Sequence, residues 1–229
     1  MKILHISDTH GFHGYMSDKR FQNIDVVIHS GDCSNYMDPG RNANEVLDFI
    51  EWYKNVPVLH KIYVAGNHDT SIEKGLVKPI QFTEAGIIYL QNSSIIIDGI
   101  KFWGSPFTPR FGDWAFMKKR ETIGREWENI PEDTEVLIVH GPPKGIRDLS
   151  YDRQNDLEMC GDSSLLKKIK TIQPKLMCFG HIHNTNDIEN QGTSTYSIMP
   201  NTIFSNAACV EDGKFEYGLT SFGNILTIN

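Results

Sequence analysis

Two polar pairs with the same two-residue spacing stand near opposite ends of this 229-residue sequence: Asp8 with His10, and His181 with His183. On a continuing strand such a pair shares one face, and in a loop at a strand end it can grip one cation together. Asp32 follows a glycine, and its two carboxylate oxygens can reach two metals. Asn67 offers a neutral amide oxygen and His140 an imidazole. Imidazole, carboxylate and amide oxygen without thiolate suit a borderline divalent ion (Mn, Fe, Zn, Ni or Co) better than calcium or a structural zinc. Each motif has an ordinary reading by itself. Ser-Asp-Thr-His and Gly-Asp serve as turns or helix caps, Gly-Asn-His-Asp as a tight loop, and a lone His140 as a core residue. Five such clusters in one chain, each closing an apolar run, are hard to obtain from local structure alone.

The runs that precede them are short and β-branched: 3–6, 26–28, 62–65, 136–139 and 176–179. Continuous apolar stretches of this length bounded by Gly or Pro read as fully buried strands. Residues 44–54 carry Val46, Leu47, Ile50 and Tyr53 at helical spacing, with Pro57 beyond the end. Residues 163–172 place Leu165, Leu166, Ile169 and Ile172 on one face, with a cap within 162–164 and Pro174 after the last turn. Segments 87–91, 94–97, 100–103, 195–199, 202–205 and 207–210 read as strands. Strands alternating with helices, plus groups of consecutive strands, predict two packed sheets flanked by helices, an α/β fold in a single domain spanning 1–229. In open α/β sheets a ligand sits off the carboxyl ends of the strands. All five polar clusters hold that position, so they are expected to converge.

Composition narrows the partners. The net charge is −7, with no run of like charge, which predicts no grip on long duplex nucleic acid and none on an anionic membrane. The four cysteines, Cys33, Cys160, Cys178 and Cys209, show no CxxC and read as reduced thiols. No stretch reaches the roughly 18 apolar residues of a membrane span. The first apolar run meets Asp8 at once, leaving nothing to cleave as a signal peptide. A soluble, cytoplasmic protein is expected.

In order along the chain, D-x-H, GD, GNH(D/E), HG and GHxH resemble the calcineurin-like metallophosphoesterase superfamily over nearly the whole chain. Trp103 to Pro109, His140 to Asp148 and Pro174 to Leu176 leading into GHIH are similar to its metallophosphoesterase-domain-containing (MPPED) branch. That resemblance implies a four-layer α/β/β/α sandwich of two mixed sheets flanked by helices, and a metal-dependent phosphodiesterase acting on small nucleotide (cyclic-nucleotide-like) substrates. It implies two divalent metal ions, with Mn expected to support activity. Asp8, His10 and His183 would hold the first, Asn67, His140 and His181 the second, and Asp32 would bridge. No ligand is missing. His68 would be the catalytic, non-ligand histidine beside the scissile group, with Asp69 either its orienting partner or a loop-closing carboxylate. Two cations about 3.5–4 Å apart can share a water and make it a bridging hydroxide that attacks phosphorus. The resemblance also allows a homodimer.

Substrate selection is harder to read. The 102–116 stretch holds Phe102, Trp103, Phe107, Phe111, Trp114 and Phe116, which suits either a base-stacking rim or packing beneath a loop. Arg41 and Arg110 are candidates to grip phosphate or ribose, Arg147 and Asp148 to form an internal ion pair, and Cys160-Gly161 to lie near the metals. His5, His13, His29 and His60 read as structural. The same ligand set would also serve a phosphomonoesterase or nuclease, or survive in a non-catalytic binding scaffold.

Overall fold

A computed structural model describes residues 1–152, 154–185, 187–214 and 218–228. Strands β1 (Lys2–Ile6), β2 (Val26–His29), β3 (His60–Tyr63) and β4 (Ile88–Tyr89) run parallel in one sheet. Then come β5 (Ser93–Ile97), β6 (Ile100–Ser105), the short pair β7 (Thr108–Pro109) and β8 (Met117–Lys118), and β9 (Val136–Val139). A hairpin of β10 (Leu149–Tyr151) and β11 (Leu157–Met159) precedes β12 (Leu176–Phe179), β13 (Gly192–Tyr196), β14 (Met199–Asn206) and β15 (Asn224–Thr227). The five-stranded sheet is ordered β15-β1-β2-β3-β4 and the six-stranded one β13-β14-β12-β9-β6-β5. Both are mixed. β15 is antiparallel to β1, while β6, β9, β12 and β14 are mutually parallel and carry antiparallel β5 and β13 at the edges.

The apolar runs are continuous because both faces of these strands are covered. In β9, Val136 and Ile138 point to the layer between the sheets, while Leu137 and Val139 point outward. Ile3, Val26, Ile28 and Ile62 meet Phe102, Val136, Ile138 and Leu176 in that middle layer. The outer face of the first sheet packs on helix α1 (Pro39–Asn55) through Val46, Phe49, Ile50 and Tyr53. After the short α2 (Thr70–Glu73) and α3 (Pro79–Glu84), helices α4 (Gly124–Glu128) and α5 (Ser163–Ile172) cover the second sheet with Trp127, Leu165 and Ile169. The result is the α/β/β/α sandwich.

Helix α5 has the expected bounds, with Asp162 accepting from the Leu165 amide. Helix α1 starts earlier than its apolar spacing suggests. Asp38 caps it by accepting from the Arg41 amide, and Pro39 takes the first-turn position where a missing N–H costs nothing. Residues 207–210 form no strand beyond an isolated bridge at Ala208; instead this loop hangs on Ser7, whose carbonyl accepts from the Cys209 amide at 2.9 Å. Among the described residues no helix is long and apolar enough to cross a membrane.

Candidate metal centre

The residues singled out for metal chemistry follow β1, β2, β3, β9 and β12. Their loops are clipped to one another. The Asp8 amide donates to the Gly31 carbonyl at 2.8 Å, the His10 amide to Asp32 at 3.1 Å, and the Gly180 amide to His140 at 2.9 Å. That clipping sustains an unusual backbone. Asp8, His10, Asp32 and His181 all have positive φ, at 51°, 43°, 57° and 69°. Such conformations cost about 1–3 kcal/mol each in non-glycine residues and persist only where the surroundings over-determine them. Close approach demands glycine beside them. A Cβ on Gly66 would lie 2.2 Å from Asp32 Oδ1, and one on Gly180 1.9 Å from Asp8 Oδ2.

All seven proposed ligands are brought together. Donor atoms of Asp8, His10 and His183 lie within 4.8 Å of one another, as do those of Asp32, His140 and His181. Asn67 Oδ1 is 3.0 Å from His140 Nε2, and Asp32 Oδ2 is 3.2 Å from that same nitrogen. Asp32 Oδ2 also stands 4.0 Å from His10 Nε2, so its carboxylate sits between the two groups. The far ring nitrogens are held from behind. His140 Nδ1 donates to the Ser30 carbonyl at 2.9 Å and His10 Nδ1 to that of Ser34 at 3.2 Å. Since a carbonyl can only accept, each ring is fixed with Nε2 turned toward the centre, and the other nitrogen is held by an outer acceptor as is usual for metal-ligating histidines. His183 Nδ1 is paired with the Asp212 carboxylate at 2.8 Å. Buried carboxylates, inward-turned imidazoles and an amide oxygen fit a divalent cation pair.

The charges point the same way. Burial opposes ionisation of Asp32, but His140, His68 and His10 hold its carboxyl well below the usual range. Asp8 is lowered likewise through His183. Burial also opposes a charge on His140, yet Asp32 lifts it to about 9; Asp212 and Asp8 lift His183 to about 10. The metal-free centre therefore keeps protons on two imidazoles that an unfolded chain would release near pH 6.5. Above that pH the folded state binds more protons than the unfolded state, so stability falls as pH rises through about 9 and about 10. Burial holds His5, His10 and His29 down at about 3. Below about pH 6.5 these three take up protons only on unfolding, so stability falls on acidification as well. The melting temperature of the metal-free protein is expected to peak near about pH 6.5. Added Mn is expected to remove the alkaline decline, because ligating imidazoles must shed their protons. Calorimetry across pH with and without metal checks this; a flat alkaline limb in metal-free protein contradicts it.

Asp69 is not the partner of the His68 ring. It is fully buried, and its carboxylate accepts from the Gly66 amide at 2.7 Å, the Asp32 amide at 3.0 Å, Tyr63 Oη at 2.6 Å and Ser34 Oγ at 2.7 Å. Those bonds close the loops that carry Asp32 and Asn67, which is a positioning role. His68 is half-buried. Its amide donates to Asp32 Oδ1 at 2.7 Å, and its ring lies on Trp114 with centroids 4.2 Å apart. Its ring also stands within ligating reach of His10 and Asp32.

The aromatic stretch divides. Phe102, Trp103 and Phe116 are core, whereas Trp114 covers His68, and Phe111, 56% exposed, lies 5.4 Å from the His181 ring. Arg147 and Asp148 do not pair with each other. Arg147 donates to the carbonyls of Asn190, Gln191 and Thr193, and Asp148 accepts from the Gly145 and Gly161 amides. Arg110 is paired with Asp113, and Arg41 lies over the Tyr36 ring at 5.6 Å. Cys160 does lie beside the centre, in a cavity it shares with His181 and His183. No sequence signal marks Asp212: it sits in a loop with no periodic pattern, and nothing in its neighbours announces a carboxylate for His183.

An α/β/β/α sandwich with buried carboxylates and imidazoles converging at one edge is the arrangement of a metal-dependent hydrolase. The profile of the Calcineurin-like phosphoesterase family matches residues 1–185, and the chain belongs to that family. It is 32% identical over 232 residues to a UPF0046 protein of Caenorhabditis elegans, covering 93% of this chain and 71% of the relative. It is also 32% identical over 196 residues to Metallophosphoesterase domain-containing protein 1 of Homo sapiens, covering 75% of this chain and 58% of the relative. Among solved structures, a purple acid phosphatase from yellow lupin seeds superposes with a TM-score of 0.52 at 14% identity, over 100% of this chain and 46% of its own. That likeness is one of fold.

Proposed function

We propose that the protein is a phosphodiesterase for small, nucleotide-like diesters, with Mn the ion that best supports it. The cavity beside the centre carries this reading. It encloses about 430 Å³ between the loop bearing Pro109 and Phe111 and the β10–β11 hairpin, with His181 and His183 among its lining residues. Its described carboxylates, Asp152, Glu158 and Asp212, face a single described guanidinium, Arg120. That group is committed to the carbonyls of Cys160 and Gly161, at 2.7 Å and 3.0 Å. A dianionic monoester would meet like charge there, with no further cation among the described lining residues to offset it. A diester brings one negative charge for the metals, and its hydroxyl-bearing organic group finds acceptors in the carboxylates. Phe111 and Tyr151 offer ring faces to a base, at ~1–3 kcal/mol per stacked base.

Asp8, His10 and His183 would hold one cation, Asn67, His140 and His181 the other, with Asp32 between them. Bound there, divalent cations supply Lewis acidity, lowering the pKa of water and offsetting charge on the phosphoryl oxygens. The protein contributes placement and a proton. The His68 amide anchors Asp32 Oδ1, while its half-buried ring stands at the edge of the centre, placed to deliver a proton to the departing oxygen. A net charge of −7 disfavours long nucleic acid, and four unpaired cysteines suit the reducing cytoplasm. The test is turnover of bis(p-nitrophenyl) phosphate against p-nitrophenyl phosphate with Mn, Fe, Ni, Co or Zn added. The diester is expected to be preferred by about tenfold or more in kcat/KM. A preference for the monoester overturns the diester reading, and no turnover with any ion overturns the enzyme.

A further inference from the structure

The ligands are divided between two sheets. Asp8, His10, Asp32 and Asn67 follow strands of the five-stranded sheet, whereas His140, His181 and His183 follow strands of the six-stranded one. Distances across the centre therefore depend on how one sheet is seated on the other. Most of that seat is aliphatic packing, which is non-directional and specifies contact more tightly than orientation.

A polar cluster centred on His5 interrupts the contact. His5 of β1 is fully buried, its Nδ1 2.7 Å from Ser205 Oγ on β14 and its Nε2 2.9 Å from Ser30 Oγ just past β2. Ser205 Oγ also accepts from Asn224 Nδ2 of β15 at 2.9 Å. Ser30 is a hub in turn, because its carbonyl is the group that orients His140. A hydrogen-bonded chain thus runs Asn224, Ser205, His5, Ser30, His140, crossing repeatedly between the sheets and ending on a ligand. Burial holds the His5 ring down at about 3, so it is neutral, with one nitrogen donating and the other accepting. An aliphatic residue here would stabilise the layer without the desolvation cost of an imidazole. What the imidazole adds is direction at both ends.

We propose that His5, with Ser205 and Ser30, is a positioning strut that sets the seat of one sheet on the other at the ligand edge, and with it the separation of the two bound cations. The inference rests on the two-cation reading above and goes beyond it, since no atom of the strut touches metal or substrate. Displacements of about 1 Å far from the chemistry can cost about a hundredfold in rate.

Ser205→Ala removes one end of the strut with little change of volume. Leu226→Ala truncates the same inter-sheet layer, on β15 opposite Ile3 and further from the ligands, and serves as the control. With Mn-loaded protein, the measurements are Mn stoichiometry, the exchange-coupled EPR signal of the Mn pair, melting temperature, and kcat and KM on bis(p-nitrophenyl) phosphate. Ser205→Ala is expected to keep two Mn per chain, alter the coupled signal, and lower kcat by about ten- to a hundredfold with KM little changed. Leu226→Ala is expected to lower the melting temperature at least as much while keeping signal and kcat. His5→Gln, which keeps a donor and an acceptor, is expected to retain more kcat than His5→Ala. Wild-type coupling and kcat in Ser205→Ala overturn the strut, and so does an equal loss in Leu226→Ala, which would assign the effect to general stability. If the wild-type protein itself binds fewer than two Mn, the two-cation reading fails first and the strut with it, a result seen before any variant is compared.

Discussion

His68→Ala is expected to bind its metals as the unsubstituted protein does and to lose about 10²–10⁴-fold in turnover of a diester with a poor leaving group. Its ring stands at the edge of the centre on Trp114, while its backbone, which the substitution leaves intact, carries the 2.7 Å bond to Asp32 Oδ1. Removing the ring therefore removes the proposed proton donor and leaves the Asp32 carboxylate anchored. The loss is expected to depend on chemistry. An alkoxide needs a proton as it departs and a nitrophenolate hardly does, so the deficit shrinks toward unity on aryl esters. Metal content by mass spectrometry, paired with kcat on alkyl and aryl diesters, checks both halves. A variant that loses metal would make His68 a ligand, as its proximity to His10 and Asp32 permits. One with full activity on the alkyl ester would remove it from catalysis.

The second large effect comes from one carbon atom. Gly180→Ala places a Cβ 1.9 Å from Asp8 Oδ2 and 2.3 Å from Ser7 Oγ, closer than any real contact. Asp8 must move, and its carboxylate is what meets His183 Nε2 at 3.0 Å and receives the His181 amide at 3.1 Å. Gly180 is not among the positive-φ glycines, so the alanine is conformationally ordinary and the effect isolates space. Metal affinity is expected to fall by more than the roughly 10–100-fold typical of lost outer-sphere support, because the displaced carboxylate is itself a proposed ligand, with hydrolysis near background. Gly14→Ala, which meets nothing within 4 Å, is the matched control and is expected to change neither. Titration with Mn followed by calorimetry measures the affinity and turnover of bis(p-nitrophenyl) phosphate the hydrolysis; wild-type affinity in Gly180→Ala would contradict the packing around Asp8.

Much of this centre was legible because its residues report two facts together. His181 and His183 have a ligand's side chain and also close a run, 176–179, whose unbroken apolarity says both faces are covered. Type and place then agree. Asp69 shows where such reading ends. Its neighbours Asn67 and His68 suggest a catalytic partner, but which way its carboxylate turns depends on Tyr63 and Ser34, which sequence does not set beside it. Asp212 and the hairpin wall lay further out of reach. Leu157 and Met159 are exposed and Glu158 alternates with them, so the hairpin carries no burial pattern to mark the cavity. The start of α1 was written in Asp38 and Pro39, whereas apolar spacing alone pointed five residues later.

The Asp8–His183 contact joins residues 175 positions apart in sequence. An ion gripped by both would be a cross-link closing about three quarters of the chain into a loop. Because it binds only the closed form, it stabilises that form in proportion to the logarithm of its concentration. The unfolded chain, by contrast, would have to surrender the entropy of a very long loop to hold the same ion. Metal availability would thus set the stability of the protein as well as its chemistry. A cell short of the ion would hold a centre that is idle and, for the same reason, a chain more readily opened to proteolysis.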